Sequence, residues 1–81
     1  MNTKWNFEET KIKGCYIITP FNAEDIRGCF TKDYSKEVFE AKGIKHDLAE
    51  VFYTTSYKGV IRAIHFQREK QQAKLVRCIH G

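Results

Sequence analysis

The chain is defined by its punctuation. Short runs of β-branched and aromatic residues recur along it, and each stops at a glycine, a proline or a polar cluster. Phe7 to Thr10 alternates in polarity and reads as a short strand, with Gly14 breaking the pattern. Cys15 to Thr19 is β-rich and stops at Pro20, which cannot donate to a ladder. Asn22 to Asp25 reads as a polar turn, and Cys29 to Tyr34 alternates again as a strand. Ser35 then stands as an N-cap before good helix formers. Gly43 lies where a C′ residue belongs, so one helix of about two turns is expected. Leu48 to Tyr57 is rich in aromatic and β-branched residues and leads into a Tyr57-Lys58-Gly59 turn. Val60 to Gln67 is the clearest strand, Arg68 to Ala73 a polar loop, and Lys74 to Ile79 a last strand. About five or six strands at this spacing, with one helix, point to a mainly β sandwich or barrel. So few strands would leave long edges unpaired. The pattern is therefore that of a truncated domain or an obligate oligomer, with Gly81 standing where a hairpin should begin.

Composition sets the outer limits. Eighty-one residues make one small domain at most. At 42% hydrophobic and 30% charged, with 14% aromatic, the chain is too apolar to be disordered. Its net charge of +4 is spread along the sequence and suits an anionic ligand, either a nucleotide diphosphate or nucleic acid. Cys15, Cys29 and Cys78 are widely spaced and form no CxxC, which argues against a zinc ribbon or a redox pair. The N-terminus lacks the apolar core of a signal peptide, and no apolar run approaches the ~20 residues of a membrane span. A cytoplasmic protein with reduced thiols is expected.

His65 is the most conspicuous chemical group. It stands in the middle of an apolar, β-branched run, where a ring nitrogen needs a partner once buried. An imidazole is the side chain most often used as a general base. A structural histidine satisfied by a carbonyl or a water fits the same position. On a regular strand, period-2 alternation puts Ile61, Ala63, His65 and Gln67 on one face. Val60, Arg62, Ile64 and Phe66 then take the other. Arg62 would point away from His65 unless a bulge re-aims it. Arg27 follows an acidic turn and suits either a phosphate or an ion pair with Asp25 or Glu24. Lys74 and Arg77 fall on opposite faces of the last strand. His46 and His80 have no metal-ligand spacing with His65, so no metal site is expected. Aromatic and basic residues interleave at Phe52-Tyr53 and Tyr57-Lys58, as on a single-strand nucleic-acid surface, or on a sheet's core face and edge.

Three ordered blocks carry a resemblance: Asp25-Ile26-Arg27-Gly28-Cys29-Phe30, then Gly59-Val60-Ile61-Arg62-Ala63-Ile64-His65-Phe66-Gln67, then Lys74-Leu75-Val76-Arg77 with a glycine at Gly81. From about Gly14 to Gly81 the chain resembles the dTDP-4-dehydrorhamnose 3,5-epimerases, with Ala63 in place of a family glycine. The resemblance implies that residues 1–81 are the N-terminal portion of a single cupin-like jelly roll, or double-stranded β-helix. It also implies a homodimer in the full-length family and no cofactor or metal. The implied reaction is epimerisation at C3 and C5 of a dTDP-4-keto-6-deoxyhexose, with no nucleic acid or membrane partner. His65 would be the base and Lys74 the stabiliser of the enolate. Arg27 and Arg62 would bind the nucleotide diphosphate, with Phe30 packed near the nucleotide. Members carry Glu at the position of Lys32, and a Gln-x-Asn-x-Ser stretch where this chain has Glu50, Phe52 and Thr54. These departures point to a divergent branch or a different 4-keto sugar. The family's catalytic tyrosine and the aspartate that orients its histidine lie beyond the position of Gly81, so the 81-residue chain is expected to be inactive alone. The alternative is a jelly-roll fragment that holds a nucleotide or sugar without turning it over.

Overall fold

The computed structural model describes residues 4–81. The chain divides into two compact units, Met1–Lys45 and His46–Gly81. All the regular structure lies in the first. Its elements are β1 (Asn6–Glu9), β2 (Tyr16–Thr19), β3 (Phe21–Asp25), β4 (Gly28–Lys32) and α1 (Lys36–Ala41). The described residues are thus mainly β, with short strands and one short helix.

β1 and β2 form an antiparallel hairpin that sets Phe7 opposite Ile18 and Glu9 opposite Tyr16. Its connection is held by the Thr10 N–H donating to the Cys15 carbonyl (2.9 Å) and the Cys15 N–H donating to the Ile12 carbonyl (3.0 Å). Pro20 ends β2, as its missing donor requires. β3 and β4 make a second, separate two-stranded sheet. Here the structure corrects the sequence reading: Asn22 to Asp25 is part of a strand, and the turn is Ile26–Arg27. The polar residues are held in the ladder by cross-strand pairing. The Asn22 side-chain amide donates to the Thr31 hydroxyl at 2.7 Å, and Ala23 faces Phe30.

The helix is built as its sequence prescribes. The Ser35 hydroxyl accepts from the Val38 N–H, satisfying one of the orphan donors of the first turn. At the other end the Gly43 N–H donates to the Glu40 carbonyl (2.9 Å) and the Ile44 N–H to the Phe39 carbonyl (3.1 Å). This is the Schellman pattern, and it needs the φ of 80° that Gly43 supplies. The helix buries one side chain, Phe39, at 4% exposure. Around it stand Tyr34, Phe7 and Trp5, with ring centroids 5.0, 5.3 and 5.9 Å away and edge-on geometry. Lys42 lays its ammonium 5.7 Å from the Phe7 ring centroid. This aromatic cluster ties α1 to the β1–β2 hairpin, which as an isolated pair would be marginal in water.

No residue of His46–Gly81 is in a helix or strand. The strands expected at Val60 to Gln67 and Lys74 to Ile79 are not formed, and neither is any in the β-rich Leu48 to Tyr57. A strand is held by a neighbour's backbone groups, and here no ladder flanks these segments. Their apolar side chains accordingly face solvent, as at Ile61 (88% exposed) and Ile64 (89%). The expected turn is present, closed by the Val60 N–H donating to the Tyr57 carbonyl at 3.1 Å.

Candidate functional site

The first group of candidate residues sits on the β3–β4 hairpin. Asp25 and Gly28 are the last pair of the ladder, so Arg27 lies in the turn itself. The turn is fixed by Asp25: its Oδ1 accepts from the Arg27 backbone N–H at 2.8 Å, an Asx turn. The same carboxylate takes the guanidinium through Nε and Nη2. These bonds hold the Asp25 carboxyl below its ordinary range, and they raise Arg27 above its own. Gly28 leaves the turn at φ 124°, a conformation strained for any L side chain. The ion-pair reading of Arg27 is therefore realised, and its side chain remains 86% exposed.

Beside the turn lies an open groove of about 500 Å³, whose walls include Ala23, Glu24, Asp25, Arg27 and Phe30. The structure thus brings Arg27 and Phe30 to one concavity. Phe30 meets Phe21 edge-on at 6.5 Å, and the Lys32 ammonium stands 6.0 Å from the Phe21 ring centroid. Three of the expected binding residues, Arg27, Phe30 and Lys32, therefore share one short hairpin. Asp25, which sequence reading considered only as one possible surface partner, proves to be the residue that shapes the turn. Its signal was present in the Asp-x-Arg-Gly spacing, since an aspartate two residues before an arginine can cap the turn and hold the side chain together.

The second group lies in His46–Gly81. His65, Glu50, Phe52, Arg62 and Lys74 are all exposed. The Arg62 Nε donates to the Ser56 hydroxyl at 2.8 Å. Because no strand forms, the opposite-face placement of Arg62 and His65 does not apply here. Lys74 donates from Nζ to the Gln67 Oε1 at 3.0 Å, which joins the second sequence block to the third. Gln67 also accepts from the Gln72 N–H at 3.3 Å, and its carbonyl takes the Gln71 side-chain amide at 3.2 Å. Gln67, half-buried, is thus the organiser of the loop before Lys74. Sequence reading placed it beside His65 and gave it no role.

Among the described residues, no three His, Cys, Asp or Glu side chains cluster as metal ligands, and no helix is long and apolar enough to cross a membrane. The three cysteines are exposed free thiols.

Comparison with known proteins bears on both groups. A family model described as dTDP-4-dehydrorhamnose 3,5-epimerase matches residues 9–81, which extends the resemblance back into β1. A Methanothermobacter thermautotrophicus protein named dTDP-4-dehydrorhamnose 3,5-epimerase is 37% identical over 78 residues, covering 96% of this chain and 42% of its own. The protein of the same name from Shigella flexneri is 38% identical over 94% of this chain and 43% of its own. A dTDP-4-dehydrorhamnose 3-epimerase from Streptomyces niveus is 40% identical over 86% of this chain and 35% of its own. The chain thus spans less than half the length of the curated relatives it matches. No solved structure matches it. The match from β1 through all three sequence blocks decides the matter: this chain belongs to the dTDP-4-dehydrorhamnose 3,5-epimerase family.

Proposed function

We propose that the chain is the N-terminal portion of a nucleotide-sugar epimerase that inverts C3 and C5 of a dTDP-4-keto-6-deoxyhexose. The observation that carries this reading is the family match across residues 9–81. The ketone at C4 acidifies the neighbouring C–H bonds. His65 removes a proton from the carbon beside it, and the Lys74 ammonium stabilises the enolate oxygen that develops. Arg27, Phe30 and Lys32 are the nucleotide contacts on the hairpin. Glu50, Phe52 and Arg62 are substrate contacts of the second unit. The complete enzyme is a cupin-like jelly roll, dimeric and cytoplasmic, and it needs no cofactor.

The 81-residue chain alone turns over no sugar. Proton abstraction from carbon needs a site that excludes water and holds the base in place, and His65 is exposed. That exposure favours a second reading for the isolated chain, a binding fragment that holds the nucleotide without chemistry. Two measurements separate these possibilities. Titration with dTDP and with a single-stranded oligonucleotide should give binding to the first, with weak salt dependence, and none to the second. The reverse result would make the chain a nucleic-acid binder. Incubation with dTDP-4-keto-6-deoxyglucose in D₂O should leave C3 and C5 unlabelled. Deuterium at either carbon would show that the chain is catalytic by itself.

A further inference from the structure

From Asp47 to Gly81, Gln67 is the one residue that is not fully exposed. The chain closes back on it within residues 68–74. Lys70 takes φ 52°, in the left-handed region, where the backbone reverses. The Gln71 side-chain amide then donates to the Gln67 carbonyl at 3.2 Å. The Gln72 N–H donates to the Gln67 Oε1 at 3.3 Å, and the Lys74 Nζ donates to the same oxygen at 3.0 Å. Both acceptor sites of Oε1 are therefore filled by groups that can only donate, a peptide N–H and an ammonium. Turning the amide over would lose both bonds, because its nitrogen accepts nothing.

This arrangement matters for Lys74. A lysine carries its charge on a flexible stem and offers three donors. One of them lies on Gln67, which leaves two for another acceptor. The holder is also uncharged. Asp25 gives the contrast, since its carboxylate neutralises the guanidinium that it holds. An amide fixes the ammonium and leaves its charge uncompensated. A cation that must meet a developing oxyanion needs both conditions, a set position and an intact charge.

We propose that Gln67 is the positioning residue for Lys74, anchoring its ammonium so that the remaining donors meet the C4 oxygen of the keto sugar as the enolate forms. The proposal rests on the epimerase reading above and deepens it. Gln67 touches no substrate and acts through Lys74.

The test uses the whole chain and trace acetylation of its lysines by acetic anhydride, read by mass spectrometry. Lys58, in the same unit, is the internal reference. Gln67→Leu should speed labelling of Lys74 about threefold, the lower range for one intramolecular hydrogen bond, and leave Lys58 unchanged. Gln67→Glu keeps an acceptor at the same length and should keep Lys74 slow. Gln71→Ala removes a loop bond that does not touch Lys74 and should also keep it slow. The second readout is protection by ligand. In the parent, dTDP-4-keto-6-deoxyglucose should slow labelling of Lys74 further, whereas dTDP, which has no ketone, should not. Gln67→Leu should lose that protection. The proposal is overturned if Gln67→Leu labels or is protected as the parent is, if Gln67→Glu releases Lys74 as Gln67→Leu does, or if Gln71→Ala releases it equally. These failures leave the epimerase reading standing. A parent whose Lys74 gains no protection from the keto sugar, or gains as much from dTDP, overturns the enolate role of Lys74 in that reading and the proposal with it.

Discussion

Arg27 and Asp25 show how a surface pair acquires a role through local geometry. Exposed ion pairs contribute little to stability on average. This one also closes a two-residue turn, because the carboxylate takes the backbone N–H and the guanidinium at once. Asp25 titrates lower when the turn is formed, so its stabilising effect is complete above its unfolded value. The effect fades as the pH falls through the depressed folded value. Tyr16 behaves oppositely: its hydroxyl donates to Glu9, which raises it above the ordinary tyrosine range. That contribution is complete below the unfolded value and is lost as the pH rises past the folded one. The amide signals of the Ile26–Arg27 turn should therefore broaden in acid, and those around Glu9 and Tyr16 in strong alkali. A turn signal that stays sharp through the carboxylate titration, or moves with Tyr16, would show that Asp25 does not hold it.

At the scale of elements, the parts legible in the sequence were those written locally. Ser35 and Gly43 announced both ends of α1, and Pro20 announced the end of β2, because caps and breakers act on the residues beside them. The strand at β3 is not legible this way, since Asn22 to Asp25 is polar by composition and owes its extended form to Thr31 and Phe30 across the ladder. Val60 to Gln67 has the composition of a strand and no ladder to join, so its pattern specified a preference that the described chain does not realise. Of the candidate site, the hairpin residues were legible as a group because they are close in sequence. The interplay of Gln67 with Lys74 was not, because it depends on how the intervening loop closes. Gly43→Ala tests the local kind of information. Nothing stands within 4 Å of the added methyl, so the cost is the left-handed backbone alone, about 1–2 kcal/mol. Faster exchange of the Gly43 and Ile44 amides, with the Ser35 end unaffected, is the expected outcome. Unchanged stability would mean that the Schellman turn does not hold the helix.

The whole molecule is two units of unequal order. Met1–Lys45 holds every hydrogen-bonded element, while His46–Gly81 holds turns, bends and exposed apolar residues such as Phe52, Ile61 and Val76. Trypsin should read this difference. Lys58, Arg62, Lys74 and Arg77 are exposed in a stretch without ladder or helix and should be cut first, leaving a transient product that ends near Lys45. Equal rates of cleavage in both units, followed by mass spectrometry, would contradict it. The aromatic cluster on Phe39 adds a practical asymmetry. Trp5 is the chain's single tryptophan, and its ring lies against Phe39 and Phe7. Indole emission therefore reports directly on the packing of the Phe39 cluster in the first unit. Ordering of the second unit must be followed through Tyr53 and Tyr57, whose phenols supply its optical signal.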